Sequence, residues 1–465
     1  MQALIPDHLE SKLNQLQQRI LTSGLPVLIV FEGSCGRVIG RVNSEIIRCL
    51  EPRGVIYNYF DPADVAGGGT ILDFLLQTPG KGQIGLCDRS WYSSIIERTV
   101  DNEKEELESM LERSNDFERY LVQNGVFLIK IILRATDSAI EEYGPQYGPD
   151  APWRSFLSID HIDPVKYRAV MFDRVREKTD TKYAPWHVVV VRDIGETVLE
   201  TVETIIGAIE DGLSAKPPVS PLSKMDRRYP NPRKEKRIDE SCFPYEDIMN
   251  RLSEELGELQ MELSVSDRSM AICFEGWDAS GKGSCIKHVC HALNPRGYRV
   301  VQTKAPTEEE ARHTYLWRFS GNVPEKGHIT IYDRTWYGRM MVEHIEGFCT
   351  EEEYARSPSE INAFEKIIVG GGTILLKFWL DITPDEQFSR FKKRTKDPLK
   401  RWKITDEDWR NREKWDDYEA HVDVMMESTN TRCAPWTVVE SNNKKYARVK
   451  VLKTIVETLR SELDK

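Results

Sequence analysis

The sequence predicts an α/β chain of two tandem P-loop kinase-like domains, each a parallel sheet flanked by helices. Three observations carry that prediction. First, the chain repeats itself. Phe31-Glu32-Gly33 recurs as Phe274-Glu275-Gly276 and Pro52-Arg53-Gly54 as Pro295-Arg296-Gly297, both at an offset of 243 residues. Cys87-Asp88-Arg89-Ser90-Trp91-Tyr92 matches Tyr332-Asp333-Arg334-Thr335-Trp336-Tyr337 at 245, and Ala184-Pro185-Trp186 matches Ala434-Pro435-Trp436 at 250. So long a period with a slowly growing offset means duplicated domains. Second, short runs that are apolar on both faces alternate with helical stretches, the pattern of a buried parallel sheet. Third, Gly276-Trp277-Asp278-Ala279-Ser280-Gly281-Lys282-Gly283-Ser284 is a glycine-rich phosphate loop between an apolar strand and a helix.

Taken in order, Met1 to Leu21 is expected to form an amphipathic helix. Strands follow at Val27–Phe31, Ile84–Cys87, Val126–Leu133 and Val188–Val191, completing a first domain over residues 1–215. Residues 216–240 carry five prolines between Pro217 and Pro232 and then Arg233-Lys234-Glu235-Lys236-Arg237, the composition of a basic, Pro-rich linker. The second domain, 241–465, opens with a helix from Tyr245 to Leu263, with Ile248, Leu252, Leu256, Leu259 and Leu263 on one face. Its strands are expected at Met270–Phe274, Ile329–Tyr332, Thr373–Leu380 and Trp436–Val439.

Composition bounds the function. The chain of 465 residues is 40% hydrophobic and 30% charged, with net charge −11. No apolar run approaches the roughly 18 residues that span a bilayer, so no membrane role is expected. The nine cysteines form no C-x-x-C pair and several sit in apolar segments, which argues for reduced core residues in a cytoplasmic protein.

The chemistry gathers in the second domain. Backbone N–H groups of Gly276, Ala279, Ser280, Gly281, Gly283 and Ser284 are placed to cradle phosphate oxygens, with Lys282 as point charge and the helix N-terminus adding its dipole. Asp278 lies within that loop, where an acid repels phosphate unless a cation intervenes. It therefore binds magnesium, orients the acceptor, or holds the loop through an Asx hydrogen bond. Asp333 ends a core strand beside the loop, the position at which P-loop enzymes hold magnesium. Arg390 to Lys403 contains eight basic residues and one acid, against the negative background of the chain. That run suits nucleic acid, a long phosphate chain, or a cationic lid over transferring phosphates.

These motifs resemble the type-2 polyphosphate kinases. The resemblance rests on the phosphate loop, Asn294-Pro295-Arg296, Asp333-Arg334-Thr335-Trp336-Tyr337-Gly338-Arg339 and Asp397-Pro398-Leu399-Lys400-Arg401-Trp402-Lys403-Ile404. Glu343 to Cys349, Glu360 to Glu365 and Glu407 to Arg412 are most similar to the two-domain polyphosphate:AMP phosphotransferases. The resemblance implies a thymidylate-kinase-like fold, Mg2+ as cofactor, inorganic polyphosphate as donor and AMP as acceptor, giving ADP. It implies catalysis by Asp278, Lys282, Asp333 and Arg334, metal binding by Asp278 and Asp333, and a phosphate-binding lid that includes Lys393, Arg394 and Lys400. Nucleic acid is then the disfavoured partner. An ATP-dependent nucleoside or nucleotide monophosphate kinase and a non-catalytic polyphosphate or nucleic-acid binder are the rival readings.

The first copy departs from this pattern. Cys35 stands opposite Asp278, Val38 opposite Gly281 and Ile39 opposite Lys282. Opposite the basic lid, Tyr143 to Phe156 carries one base, Arg154, and one acid, Asp150. Asp88-Arg89 remains. A catalytically inactive first domain is expected, with a role in stability, in homo-oligomer assembly or in guiding polyphosphate.

Overall fold

In the computed structural model the described residues are 4–33, 35–60, 71–98, 104–143, 165–214, 244–399 and 401–464. Two compact units emerge. The first comprises Met1–Pro221 with Pro306–Ser320, and the second Leu222–Ala305 with Gly321–Lys465. The linker over 216–240, the segment 144–156 opposite the lid, and Lys400 lie outside the described residues.

The first unit holds a five-stranded sheet of β1 (Val27–Gly33), β2 (Val55–Tyr59), β3 (Ile84–Asp88), β4 (Phe127–Ala135) and β5 (Trp186–Val191) in the order β2-β3-β1-β4-β5. The second holds β6 (Ser269–Gly276), β7 (Tyr298–Gln302), β8 (Ile329–Asp333), β9 (Thr373–Asp381) and β10 (Trp436–Glu440) in the matching order β7-β8-β6-β9-β10. Every pairing is parallel. Central strands β1, β3, β6 and β9 are buried along their length or nearly so, because helices cover both faces.

The edge strands β2 and β7 have no counterpart among the expected strands. Val55-Ile56-Tyr57-Asn58-Tyr59 and Tyr298-Arg299-Val300-Val301-Gln302 are half-buried to exposed. A strand paired on one side only needs no continuous apolar run, so its sequence carries little signal. The N-terminal helix α1 is Asp7–Ser23 and starts later than expected, since Pro6 serves as its N-cap residue. The helix at Tyr245–Ser264 buries Leu252, Leu256, Leu259 and Leu263 as its spacing requires, with Ile248 partly buried.

Each unit also buries the same ion pair. Lys130 Nζ donates to Glu118 Oε2 at 2.7 Å and to the Thr179 carbonyl at 2.8 Å, and Glu118 also accepts from the Tyr92 hydroxyl. In the second unit Lys377 Nζ donates to Glu365 Oε2, the Thr429 carbonyl and the Tyr337 oxygen, each at 2.8 Å. All four charged side chains are fully buried. Such a pair holds its neighbours in register more than it stabilises, because desolvation offsets much of the Coulombic attraction.

Candidate active site

The site of the second unit begins where β6 ends. Gly276 has φ +143°, and a Cβ there would meet the Leu380 carbonyl oxygen on neighbouring β9 at 2.5 Å, so only glycine can leave this strand. Trp277 to Gly281 then form the loop. Ala279 (φ +62°) and Gly281 (φ +118°) are both left-handed, and the following helix spans Lys282–Ala292. Ser284 N–H turns back to the Gly281 carbonyl at 2.9 Å and Ser280 N–H to that of Trp277 at 3.0 Å, so the amides of Gly281, Lys282 and Gly283 are the ones placed to meet an anion.

Lys282 Nζ donates to the carbonyls of Gly276 at 2.5 Å and Trp277 at 3.2 Å. Burial pushes its pKa below the ordinary lysine range, and the charge of Asp278 opposes that shift. Asp278 Oδ1 lies 3.3 Å from Arg334 Nη2, and its Oδ2 accepts from Asn411 Nδ2 at 3.0 Å. Asp333 ends β8, half-buried, and its charge acts on both Lys282 and Arg334. Burial would lower the Arg334 pKa, but Asp278, Glu275 and Asp333 outweigh it and hold it above the usual arginine value. Asp278, Lys282, Asp333 and Arg334, distant in sequence, therefore share one electrostatic environment.

Arg334 is itself strained, with φ +66° on a side chain that disfavours it. The turn is held from beneath. Arg334 N–H donates to the Phe274 carbonyl, and buried Glu275 accepts from Thr335 N at 2.7 Å and Thr335 Oγ1 at 2.8 Å. Trp336 and Tyr337 are buried and tie into Glu365, so they pack rather than face the site.

The basic run divides in two. Arg390 is 3% exposed and braces the loop from behind. Its Nη1 donates to the carbonyls of Ala279 and Ser280 at 2.9 and 2.7 Å, and its Nη2 to those of Ser441 and Asn442. Lys393 is exposed and Arg394 half-buried at the end of helix Pro384–Lys396. Burial lowers the Arg394 pKa against the pull of Asp408 and Asp278. Exposed Lys444 is near enough to feel them, since partial burial first and then the positive charges of Arg390, Arg394 and Lys393 push its pKa down. Lys444 lies outside the basic run, so sequence spacing alone gives no hint of it. The hydroxyl of Ser284 accepts from Arg448 Nε at 3.1 Å and so serves the C-terminal helix in this structure.

The two acidic side chains fit a hard divalent cation. No group of three or more potential metal ligands occurs among the described residues. Two carboxylates beside a phosphate loop match the way Mg2+ is usually held, by one or two carboxylates, substrate phosphates and water.

Both repeats match the model of the polyphosphate kinase 2 (PPK2) family, over residues 6–217 and 241–465. The polyphosphate:AMP phosphotransferase of Pseudomonas aeruginosa is 35% identical over 458 residues, covering 95% of this chain and 92% of that protein. The protein of the same name from Pseudomonas syringae pv. tomato is 32% identical over 98% of this chain and 96% of its own. A crystal structure from Pseudomonas aeruginosa described as a polyphosphate kinase 2 superposes with a TM-score of 0.82 at 31% identity, covering 98% of this chain and 95% of that one. The chain belongs to the polyphosphate kinase 2 family. No helix among the described residues is long and apolar enough to cross a membrane.

Proposed function

As a member of the polyphosphate kinase 2 family, we propose, this protein is a phosphotransferase that moves the terminal phosphoryl group of inorganic polyphosphate to AMP, giving ADP, with the second repeat as the catalytic unit. The relatives that carry the name polyphosphate:AMP phosphotransferase align along almost the whole chain, which supports donor and acceptor. The single observation that carries the choice of unit is the open loop from Gly276 to Gly281, with Lys282 and Asp278 on it.

Loop amides and the helix N-terminus hold donor phosphates, and Lys282 exchanges its two carbonyl partners for phosphate oxygens. A phosphate oxygen of AMP attacks the terminal phosphorus. The bridging P–O bond breaks, and its electron pair leaves with the shortened polyphosphate. The attacking phosphate is mostly dianionic at neutral pH, so no general base is required. Arg334, Lys393, Arg394 and Lys400 neutralise the oxygens between which charge moves. Asp278 and Asp333 are the residues that would hold Mg2+, which would offset the negative charge of the phosphates. The first repeat is catalytically inactive and serves stability or assembly into a homo-oligomer. The eight described cysteines are free, which supports a cytoplasmic setting.

The test is ADP formation from AMP and Mg2+ with polyphosphate or ATP as sole donor. Polyphosphate-driven turnover that disappears in Asp333→Asn is the expected result. Turnover with ATP alone would make the protein an ordinary nucleotide kinase. Polyphosphate binding without turnover from either donor would make it a binder.

A further inference from the structure

Helix Asp406–Glu413, more than 100 residues downstream of the phosphate loop, contributes two adjacent side chains that converge on Asp278. Asn411 Nδ2 donates to Asp278 Oδ2 at 3.0 Å across 133 residues of sequence. Arg412 Nη1 donates to Gln387 Oε1 at 3.1 Å, and Gln387 Nε2 in turn donates to the Asp278 carbonyl at 3.1 Å. The side chain and main chain of Asp278 are thus both fixed from one helix.

The orientation of the Asn411 amide is itself set. An ionised carboxylate only accepts, so the Nδ2 end faces Asp278, and Oδ1 on the other side is held by the Tyr418 hydroxyl, which donates to it at 3.3 Å. Tyr418 can only play that part while protonated. Burial, with the charges of Asp278, Glu346 and Glu407 behind it, keeps its pKa well above the usual phenol value. The junction between this helix and the next is also pinned to the loop. Trp415 stacks on Trp277, the neighbour of Asp278, with ring centroids 3.8 Å apart and planes 15° apart.

The choice of a neutral donor has a chemical consequence. A lysine or arginine at this position would neutralise the carboxylate and compete with a cation for it. An amide fixes the plane of the carboxylate without adding another positive charge to that of Arg334, which already lies 3.3 Å from its Oδ1. We propose that Asn411, oriented by Tyr418, is a positioning residue that sets the Asp278 carboxylate for divalent cation binding. This rests on the reading of Asp278 as a metal ligand given above.

The experiment is a Mn2+ titration of the full-length enzyme followed by electron paramagnetic resonance, without nucleotide or polyphosphate, on wild type, Asp278→Ala, Asn411→Leu and Tyr418→Phe. Asn411→Leu keeps the side-chain size and removes the donor. Its Mn2+ affinity should fall about ten- to a hundredfold, toward that of Asp278→Ala, the usual loss when a partner that orients a metal ligand is removed. Tyr418→Phe should weaken binding less. A double Asn411→Leu, Tyr418→Phe variant should be no weaker than Asn411→Leu alone, because both act through one amide. In turnover, the half-saturating Mg2+ concentration should rise while the KM for AMP and the melting temperature stay near wild type. Wild-type Mn2+ affinity in a folded Asn411→Leu variant, when Asp278→Ala has lost it, overturns this proposal alone. So do additive effects, or a loss of affinity that simply follows melting temperature. If Asp278→Ala binds Mn2+ as wild type does, Asp278 is no ligand and both readings fall.

Discussion

The two repeats keep the same frame and differ at the one loop where phosphate chemistry would occur. In the second repeat five residues, 277–281, separate Gly276 at the end of β6 from the helix that begins at Lys282. In the first, β1 ends at Gly33 and the helix Gly36–Arg48 begins three positions later. At the offset of 243, Lys282 corresponds to Ile39, so the first-copy helix starts three residues earlier than its counterpart. Residues 36–38, equivalent to Ala279–Gly281 of the phosphate loop, are wound into that helix. Val38 and Ile39 are fully buried in its core, where a loop glycine and a lysine stand in the other copy.

The acidic strand end changes accordingly. Asp88, the counterpart of Asp333, is 4% exposed, accepts from the Tyr57 hydroxyl at 3.0 Å, and has its pKa raised by burial. It is sealed within the fold, whereas Asp333 is half-exposed beside Lys282. What persists is mechanical. Arg89 keeps a left-handed φ of +72°, and Glu32 accepts from Ser90 and Ser93 as Glu275 does from Thr335. Gly33 still faces a carbonyl, that of Leu133, 2.5 Å from where a Cβ would sit. Strain and glycine at the strand ends therefore belong to the architecture of the sheet, and the open loop with its lysine is what distinguishes the second repeat.

The largest expected effect breaks the comparison at its centre. Lys282→Ala should lower kcat for polyphosphate-driven ADP formation on the order of a thousandfold, the loss typical of a preorganised charge at a transferring group. The reciprocal Ile39→Lys should restore nothing to that variant, because position 39 lies in a buried helix. Initial-rate measurements on the two variants and their combination check this. Next, Lys377→Met should cost about 3–5 kcal/mol by leaving Glu365 buried and unpaired, and Lys130→Met the same through Glu118. Urea unfolding should show equal losses, while only Lys377→Met lowers the kcat of the folded protein.

The smallest effect concerns pH. Burial raises the pKa of Glu32 to about 7 from an ordinary 4.5, against the pull of Ser90, Ser93 and Arg89. The folded state therefore keeps a proton that the unfolded chain releases between those values. This group favours folding most below pH 4.5, loses that contribution as pH rises to 7, and is level above. The change is at most about 3 kcal/mol. In Glu32→Gln the slope of unfolding free energy over pH 4.5–7 should flatten. An unchanged slope in chemical denaturation across that range would mean that Glu32 is ionised in the fold.

Most of the frame and much of the site were legible in the chain. The eight expected strands lie where apolar runs put them, since a strand buried on both faces must be apolar whatever surrounds it. Asp278, Lys282, Asp333 and Arg334 were legible as a set because each sits at a strand end or loop beside the same parallel sheet, a position that topology fixes. Sequence alone groups Arg390 with the rest of the basic run, because a run of cations looks uniform in sequence. Folding separates it, since one turn of helix turns Arg390 inward to five hydrogen bonds and leaves Lys393 outside.

The sequence by itself determined that this protein is a duplicated parallel α/β chain with a glycine-rich, lysine-bearing loop in one copy. Those properties reside in local features: glycine where a backbone must bend, a β-branched residue where it must not, and apolar runs of strand length. Only the tertiary structure decided that Asn411 meets Asp278, that Lys444 feels the positive charges of Arg390, Lys393 and Arg394, and that Asp88 is sealed while Asp333 is not. Each of those depends on which distant segments pack together, and burial and electrostatic coupling are set by that packing rather than by neighbours in the chain.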